Sequence, residues 1–157
     1  MNRLMESVWL WIEASHGLRD EIIAGLSDAD LAFNPGGDNI TFGALIRECG
    51  EIEHSYAESL RTLKQDFDYR NPGLASSVQQ LQAWFQQLDA DMKATLAAFS
   101  DADVESKQVT RASGYQMPIE MQLNTYLQAL MIFFGKAVTY LRAMGKPLSK
   151  NMQEWVG

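Results

Sequence analysis

Glutamate crowds one stretch of the chain: Glu48, Glu51, Glu53 and Glu58, with His54 among them. Carboxylates and imidazoles at helical spacing can ligate a divalent metal or pass protons, so what matters is which of them share a face. Glu51-x-x-His54 has the spacing used in carboxylate-bridged di-metal bundles. Those bundles repeat the motif on a second helix and add two further glutamates. Here it occurs once, and Glu51, His54 and Glu58 fall opposite Cys49 and Tyr56 on a helical projection. The expectation is a solvated face.

Glu53 is different, because it falls about 50° from the centre of the apolar stripe at α-helical spacing. A buried carboxylate needs a partner. Arg19 holds the equivalent position on the first helix, with His16 as the other candidate. The expectation is a buried or half-buried Glu53–Arg19 tie, structural rather than catalytic. Glu48 sits at the margin of the apolar face, where a carboxylate can look into a cleft. Cys49 lies on the inward stripe without a cationic neighbour and reads as packing rather than as a nucleophile. His16 reads as a hydrogen-bonded core histidine. A lone cysteine excludes a disulfide framework and any Cys-x-x-Cys site. No Ser-His-Asp arrangement or phosphate-cradling glycine loop is present.

Long helices must position these groups. The last of them, Ile119 to Met144, organises the rest: no charged residue occurs between Met121 and Gly135. At about 100° per residue, Leu123, Leu127, Leu130, Phe134 and Leu141 form one stripe, with Phe133, Tyr140, Met131 and Val138 beside it. A helix this apolar must be covered on several sides. It is too interrupted to cross a bilayer, which takes roughly 20 predominantly apolar residues. The first helix spans about Leu4 to Leu26, with Leu4, Val8, Ile12, Ser15, Ile22 and Leu26 facing inward and Trp11 and Leu18 beside them. The second follows a Thr41 N-cap, and the third a capping box at Ser76-x-x-Gln79. Ser27-Asp-Ala-Asp-Leu31 and Ser100-Asp-Ala-Asp-Val104 recur after the first and third helices. Two helical hairpins, each with a capped turn after its first helix, would produce that echo; composition is the expected source, because serine and aspartate suit any N-cap. Gln65 to Ala75 and Val104 to Gln116 read as irregular connections, and the tail with Met152, Trp155 and Val156 as a segment folded back. Gly135 and an exposed Ile132 lie opposite the stripe of the last helix, suited to a dimer contact.

The whole chain, residues 1–157, reads as one all-α four-helix bundle domain with longer connections. Its apolar content of 46% is sufficient for a core. The formal net charge of −7, with scattered lysines and arginines, argues against a nucleic-acid partner. No export signal or membrane span is visible, so the expected location is cytoplasmic.

Two stretches resemble the DinB-like family of four-helix bundles, also described as DinB/YfiT-like metalloenzymes. One is Thr41-Phe-Gly-Ala-Leu-Ile-Arg-Glu-Cys-Gly-Glu-Ile-Glu53. The other is Phe134-Gly-Lys-Ala-Val-Thr-Tyr-Leu-Arg-Ala-Met-Gly145, the more specific of the two. The resemblance implies a homodimer and a divalent metal held by three histidines, one on the second helix and two, four apart, on the fourth. It also implies, for some members, thiol-dependent S-transfer. By alignment the three ligand positions here are Glu48, Ala129 and Phe133, of which only Glu48 can bind a metal.

A transition-metal site typically has three or four protein ligands. The expectation is therefore no cofactor, with Glu48 and His16 the remaining candidate ligands. Zinc or nickel is the alternative, at a site rebuilt with His16, Glu53 or Tyr115. The same cleft gives a candidate ligand-binding set of Glu48, Ile52, Gln122, Thr125, Ala129 and Phe133, with Trp11 nearby, apolar with one acid. Three functions follow: a metal-free small-molecule-binding or degenerate enzyme domain, a metal-dependent enzyme such as a thiol S-transferase with an altered ligand set, or a dimeric structural module.

Overall fold

A computed structural model describes residues 2–156, apart from the Val156 side chain, so the expected role of that side chain lies outside the described residues. Seven α-helices account for most of the chain: α1 (Val8–Ala24), α2 (Asp28–Leu31), α3 (Phe42–Thr62), α4 (Val78–Ala97), α5 (Asp101–Ser106), α6 (Ile119–Ala143) and α7 (Lys150–Val156). The four long ones, α1, α3, α4 and α6, form the expected bundle. In it α1 and α3 occupy opposite corners, each packed between α4 and α6.

Helix directions follow from the residues that meet. His16 pairs with Asp89 and Glu13 with Lys93, so α1 and α4 are antiparallel. Gln122 bonds Ser59 and the Tyr140 ring meets Phe42, so α3 and α6 are antiparallel. Gly50 abuts Trp84 while Gly43 abuts Ala75, just before α4, so α3 and α4 are parallel. That last relation dictates an unusual connection. A helix of 21 residues is about 30 Å long, and residues 63–77 must travel back along it before α4 can start. They do so against the outer face of α3: Tyr69 stacks on His54, the Asn71 amide reaches Glu51, and Ala75 lies against Gly43. The face expected to be solvated is therefore largely covered, and Glu51 is buried. Helical projection identified that face correctly but could not show that a non-periodic segment crosses it.

The two connections read as irregular share a small sheet. Strands β1 (Lys64–Gln65), β2 (Gln108–Arg111) and β3 (Gln116–Pro118) lie in that order, β1 parallel to β2 and β2 antiparallel to β3. Lys64 faces Thr110, and Val109 faces Met117. Strands of two to four residues give too little alternation to show in a sequence. Leu63 adopts the left-handed conformation at the end of α3 (φ 57°), which turns the chain into β1.

Both Ser-Asp-Ala-Asp segments are real helix starts. Ser27 with Asp30, and Ser100 with Asp103, each form a complete capping box. The cap of α4 is Ser77 rather than Ser76, one residue later than expected. At the start of the chain, residues 3–7 form turns and α1 begins at Val8. Trp9, not Trp11, is the buried tryptophan. Trp11 is 59% exposed and meets the edge of Trp155, which α7 folds back toward it. Around α6 the cover is incomplete. Met121, Met131 and Ile132 are exposed, and among the described residues nothing outside the helix backbone lies within 4 Å of where a β-carbon on Gly135 would sit. No helix among the described residues is long and apolar enough to cross a membrane.

Candidate functional site

Two sites emerge, one inside the bundle and one on its surface. The inner one gathers a polar side chain from every long helix. Arg19 of α1, fully buried, donates from Nη1 to Glu53 Oε2 of α3 (2.7 Å) and from Nη2 to Asp89 Oδ2 of α4 (2.8 Å). Its guanidinium lies 4.1 Å from the centre of the Phe85 ring, a cation–π contact, and it also bonds the half-exposed Asp20. The Arg19–Glu53 pair is thus as the sequence predicts. His16 joins from α1: Nδ1 lies 2.8 Å from Asp89 Oδ1, and Nε2 lies 2.8 Å from the Tyr126 hydroxyl of α6.

Hydrogen-bond polarity can be followed through this cluster. A carboxylate only accepts, so His16 donates from Nδ1 to Asp89, and its Nε2 is left as the acceptor. Tyr126 has one proton and gives it to His16. Glu53 Oε1, 3.8 Å from His16 Nε2, then has no donor, and it is indeed without a hydrogen-bond partner. Burial pushes the Glu53 carboxyl well above the usual range, against the pull of Arg19. Asp89 moves the other way: its bonds to His16 and Arg19 outweigh burial and hold it well below the usual range. Burial lowers His16, with a smaller opposing push from Asp89. These directions favour an Arg19⁺–Asp89⁻ pair with a neutral imidazole, and favour the protonated acid at Glu53 over its carboxylate.

This assignment predicts a pH dependence of known sign. A raised carboxyl pKa contributes stability that is complete below the unfolded value, near 4.5, and is lost as pH rises through the folded value. Glu53→Gln, an isostere of the protonated acid, escapes that loss. Urea unfolding at several pH values should show the variant gaining on the parent as pH rises. A constant difference would place a full charge on Glu53 throughout.

His16, Glu53 and Asp89 each present a ligand atom within 4.8 Å of the others, the arrangement a metal ion requires. Arg19 occupies that centre instead. Its guanidinium engages Glu53 Oε2 and Asp89 Oδ2, Asp89 Oδ1 is taken by His16, and His16 Nε2 by Tyr126. Asp89 was not anticipated. Its signal was the spacing Phe85-x-x-x-Asp89-x-x-Met92, which sets it at the edge of the buried stripe of α4. Cys49 is buried, and burial pushes its thiol upward, away from the reactive thiolate.

The outer site is a cleft of about 330 Å³ between α3 and the crossing segment, lined by Arg47, Glu48, Glu51, Ile52, Ser55, Phe67 and Arg70. Its volume is at the low end of the range of roughly 300–1,000 Å³ for ligand pockets. Of the candidate binding residues, the structure brings Glu48 and Ile52 into this cleft. The other four are not in its wall. Gln122 is fully buried and ties the sheet to the bundle: its Nε2 donates to Ser59 (2.8 Å) and to Gln65, and its Oε1 accepts from Arg111 (2.9 Å). Thr125 donates to the Met121 carbonyl, and Phe133 is buried beside Phe134.

The α3/α6 register pairs Ser59 with Gln122, Tyr56 with Tyr126 and Phe42 with Tyr140. It puts Glu48 level with Phe133 and Ile52 level with Ala129, so the three metal-ligand positions of the resembled family fall within one helical turn of one another along the bundle. The donors there do not fit a metal: one carboxylate faces an alanine and a phenylalanine. Tyr115 is exposed on the turn between β2 and β3, and Trp11 lies outside both sites.

Comparison with known proteins agrees with this architecture. A crystal structure of a DinB-like protein, YjoA from Bacillus subtilis, superposes with a TM-score of 0.66, covering 84% of this chain and 87% of that one at 13% identity. No curated protein matches the chain in sequence. The sequence profile of the DinB superfamily matches residues 12–130, a stretch holding both sites, the whole of α3 and α4 and parts of α1 and α6. The chain belongs to the DinB superfamily.

Proposed function

We propose that this protein is a DinB-superfamily member that binds a small molecule in the Glu48 cleft without a family-type metal. The observation that carries this is the set of polar groups left over in that cleft. Glu48 is half-buried and makes no hydrogen bond or ion pair among the described residues. Ser55 is 4% exposed and lines the same cleft. Arg47 Nε lies 3.2 Å from Glu51 Oε1 yet makes no hydrogen bond. Of these groups Arg47 Nε is shut off from solvent without a hydrogen bond, and an orphaned buried donor at the edge of a hollow calls for a partner.

A metal-dependent enzyme is the second reading, and the His16–Glu53–Asp89 grouping is what favours it. A metal there must displace Arg19, which no side chain could then replace. The open face of α6, with Ile132 62% exposed and Gly135 beside it, supports assembly with a second copy of the chain.

Elemental analysis of protein purified without chelators, run on the parent and on Glu48→Ala and Asp89→Ala, tests the metal-free part. No stoichiometric metal is the expected result. A stoichiometric transition metal lost with Glu48→Ala would restore the family-type site, and one lost with Asp89→Ala would place it in the bundle centre. A fragment screen read by amide and methyl shifts of Ile52 and Ser55 tests the cleft. Fragments are expected to shift these signals, and silence across the screen would sink the binding reading.

A further inference from the structure

We infer that the ligand of this cleft is a small zwitterion of the amino-acid class, its carboxylate held by Arg47 and Arg70 and its ammonium by Glu48. The inference rests on the cleft being a binding site, as proposed above, and takes its chemistry from which charges remain unanswered there.

Glu51 is already engaged. Its Oε1 accepts the Asn71 amide at 2.7 Å and faces Arg47 Nε, so it anchors the crossing segment and is not free for a ligand. Arg70 donates from Nη1 to the carbonyls of Phe67 and Tyr69, which orients its guanidinium at the cleft rim but provides no counter-charge. Arg47 shares its one carboxylate with that amide. Two guanidiniums thus face the cleft with one engaged carboxylate between them, and a planar fork of this kind suits a ligand carboxylate.

Glu48, one residue from Arg47 and one turn from Ile52, contributes the opposite charge in the same wall. A phosphate or dicarboxylate would meet the Glu48 charge, and a simple cation would meet two arginines. A molecule carrying both charges a few bonds apart satisfies all three. Ile52 and Phe67 form the apolar part of the wall; Phe67 is partly exposed, with an edge contact to Tyr56 and the Arg111 guanidinium 5.9 Å from its ring centre. The Ser55 hydroxyl lines the same wall as a donor to either end. The cavity is of the right order for an amino acid and small for a nucleotide or a peptide.

The test is NMR titration of the full chain with the twenty protein amino acids, following Ile52 and Ser55. For leucine it includes two truncated controls: 4-methylpentanoate, which lacks the ammonium, and 3-methylbutylamine, which lacks the carboxylate. At least one amino acid is expected to bind, with both truncated analogues of a leucine-type ligand weaker by about tenfold or more, the loss of one charge-assisted bond. Glu48→Gln should weaken the amino acid and strengthen 4-methylpentanoate, and Arg70→Gln should favour the amine. Both side chains are accessible, so neither variant threatens the fold. Equal binding of 4-methylpentanoate and leucine overturns the zwitterion and leaves the cleft as an anion site. Fragments that shift the cleft while no amino acid does so overturn this inference and leave the binding function standing. If neither shifts it, both fall.

Discussion

Replacing Arg19 with methionine should destabilise the fold by about 3–5 kcal/mol, the range for breaking a buried ion pair by removing one partner. Few substitutions in the chain should cost more. Methionine fills much of the volume and keeps contact with Phe85, so the loss isolates the charge and its hydrogen bonds. What remains is Asp89, ionised and held only by His16, and Glu53, now without any donor. The bundle has one cheap response, which is to take up a proton. Burial lowers the His16 pKa and the nearby Arg19 charge lowers it further, so its pKa should rise in the variant. Urea unfolding gives the first quantity and a histidine NMR titration the second. The double variant Arg19→Met with Glu53→Leu should recover part of the loss, because it removes the buried carboxyl that has lost its one hydrogen-bond donor. An Arg19→Met protein as stable as the parent would show that the four-helix polar centre is incidental to the fold.

That centre also shows how far a sequence can be read. The Arg19–Glu53 pair followed from angular position alone, because both residues interrupt apolar stripes on long helices whose period is unmistakable. Asp89 and Tyr126 complete the same cluster and went unseen for opposite reasons. Asp89 sits at the stripe's edge beside ordinary surface acids, where periodicity does not discriminate. Tyr126 lies among the apolar residues of α6, where nothing in the spacing marks the hydroxyl that meets His16 Nε2. The family was legible from α3 and the end of α6, and so was the poverty of donors at Glu48, Ala129 and Phe133. The cleft was half legible. Its helical side, Glu48 and Ile52, came from the family resemblance, with Glu48 also set at the margin of the apolar face by helical spacing. Its other wall, Phe67 and Arg70, comes from a segment with no period, whose path is set by the parallel packing of α3 and α4.

That path makes the second large effect a glycine. Gly43 lies in the first turn of α3, and a β-carbon there would sit 1.9 Å from the Ala75 carbonyl oxygen and 3.1 Å from Leu31 Cβ. At Gly50 the corresponding clash is 2.4 Å from Trp84 Cζ3. The two differ in what must yield. Trp84 is a half-buried side chain that can rotate, and alanine in mid-helix regains about 1 kcal/mol of propensity over glycine. Gly50→Ala should therefore be near neutral. Ala75 is backbone at the end of the crossing segment, between the 3-10 turn Pro72–Leu74 and the α4 cap, and can move only by lifting that segment. Gly43→Ala should cost about 1–3 kcal/mol, the usual penalty for overpacking. Its local consequence should be larger than its global one. Lifting Ala75 loosens the segment that carries Asn71 onto Glu51 and forms the Phe67–Arg70 wall of the cleft. Hydrogen exchange at the Asn71 amide should accelerate far more than exchange in α4 or α6, and ligand binding in the cleft should weaken with it. Faster exchange spread evenly over the bundle would show that the crossing segment is held by the helices at large, not by its seat on Gly43.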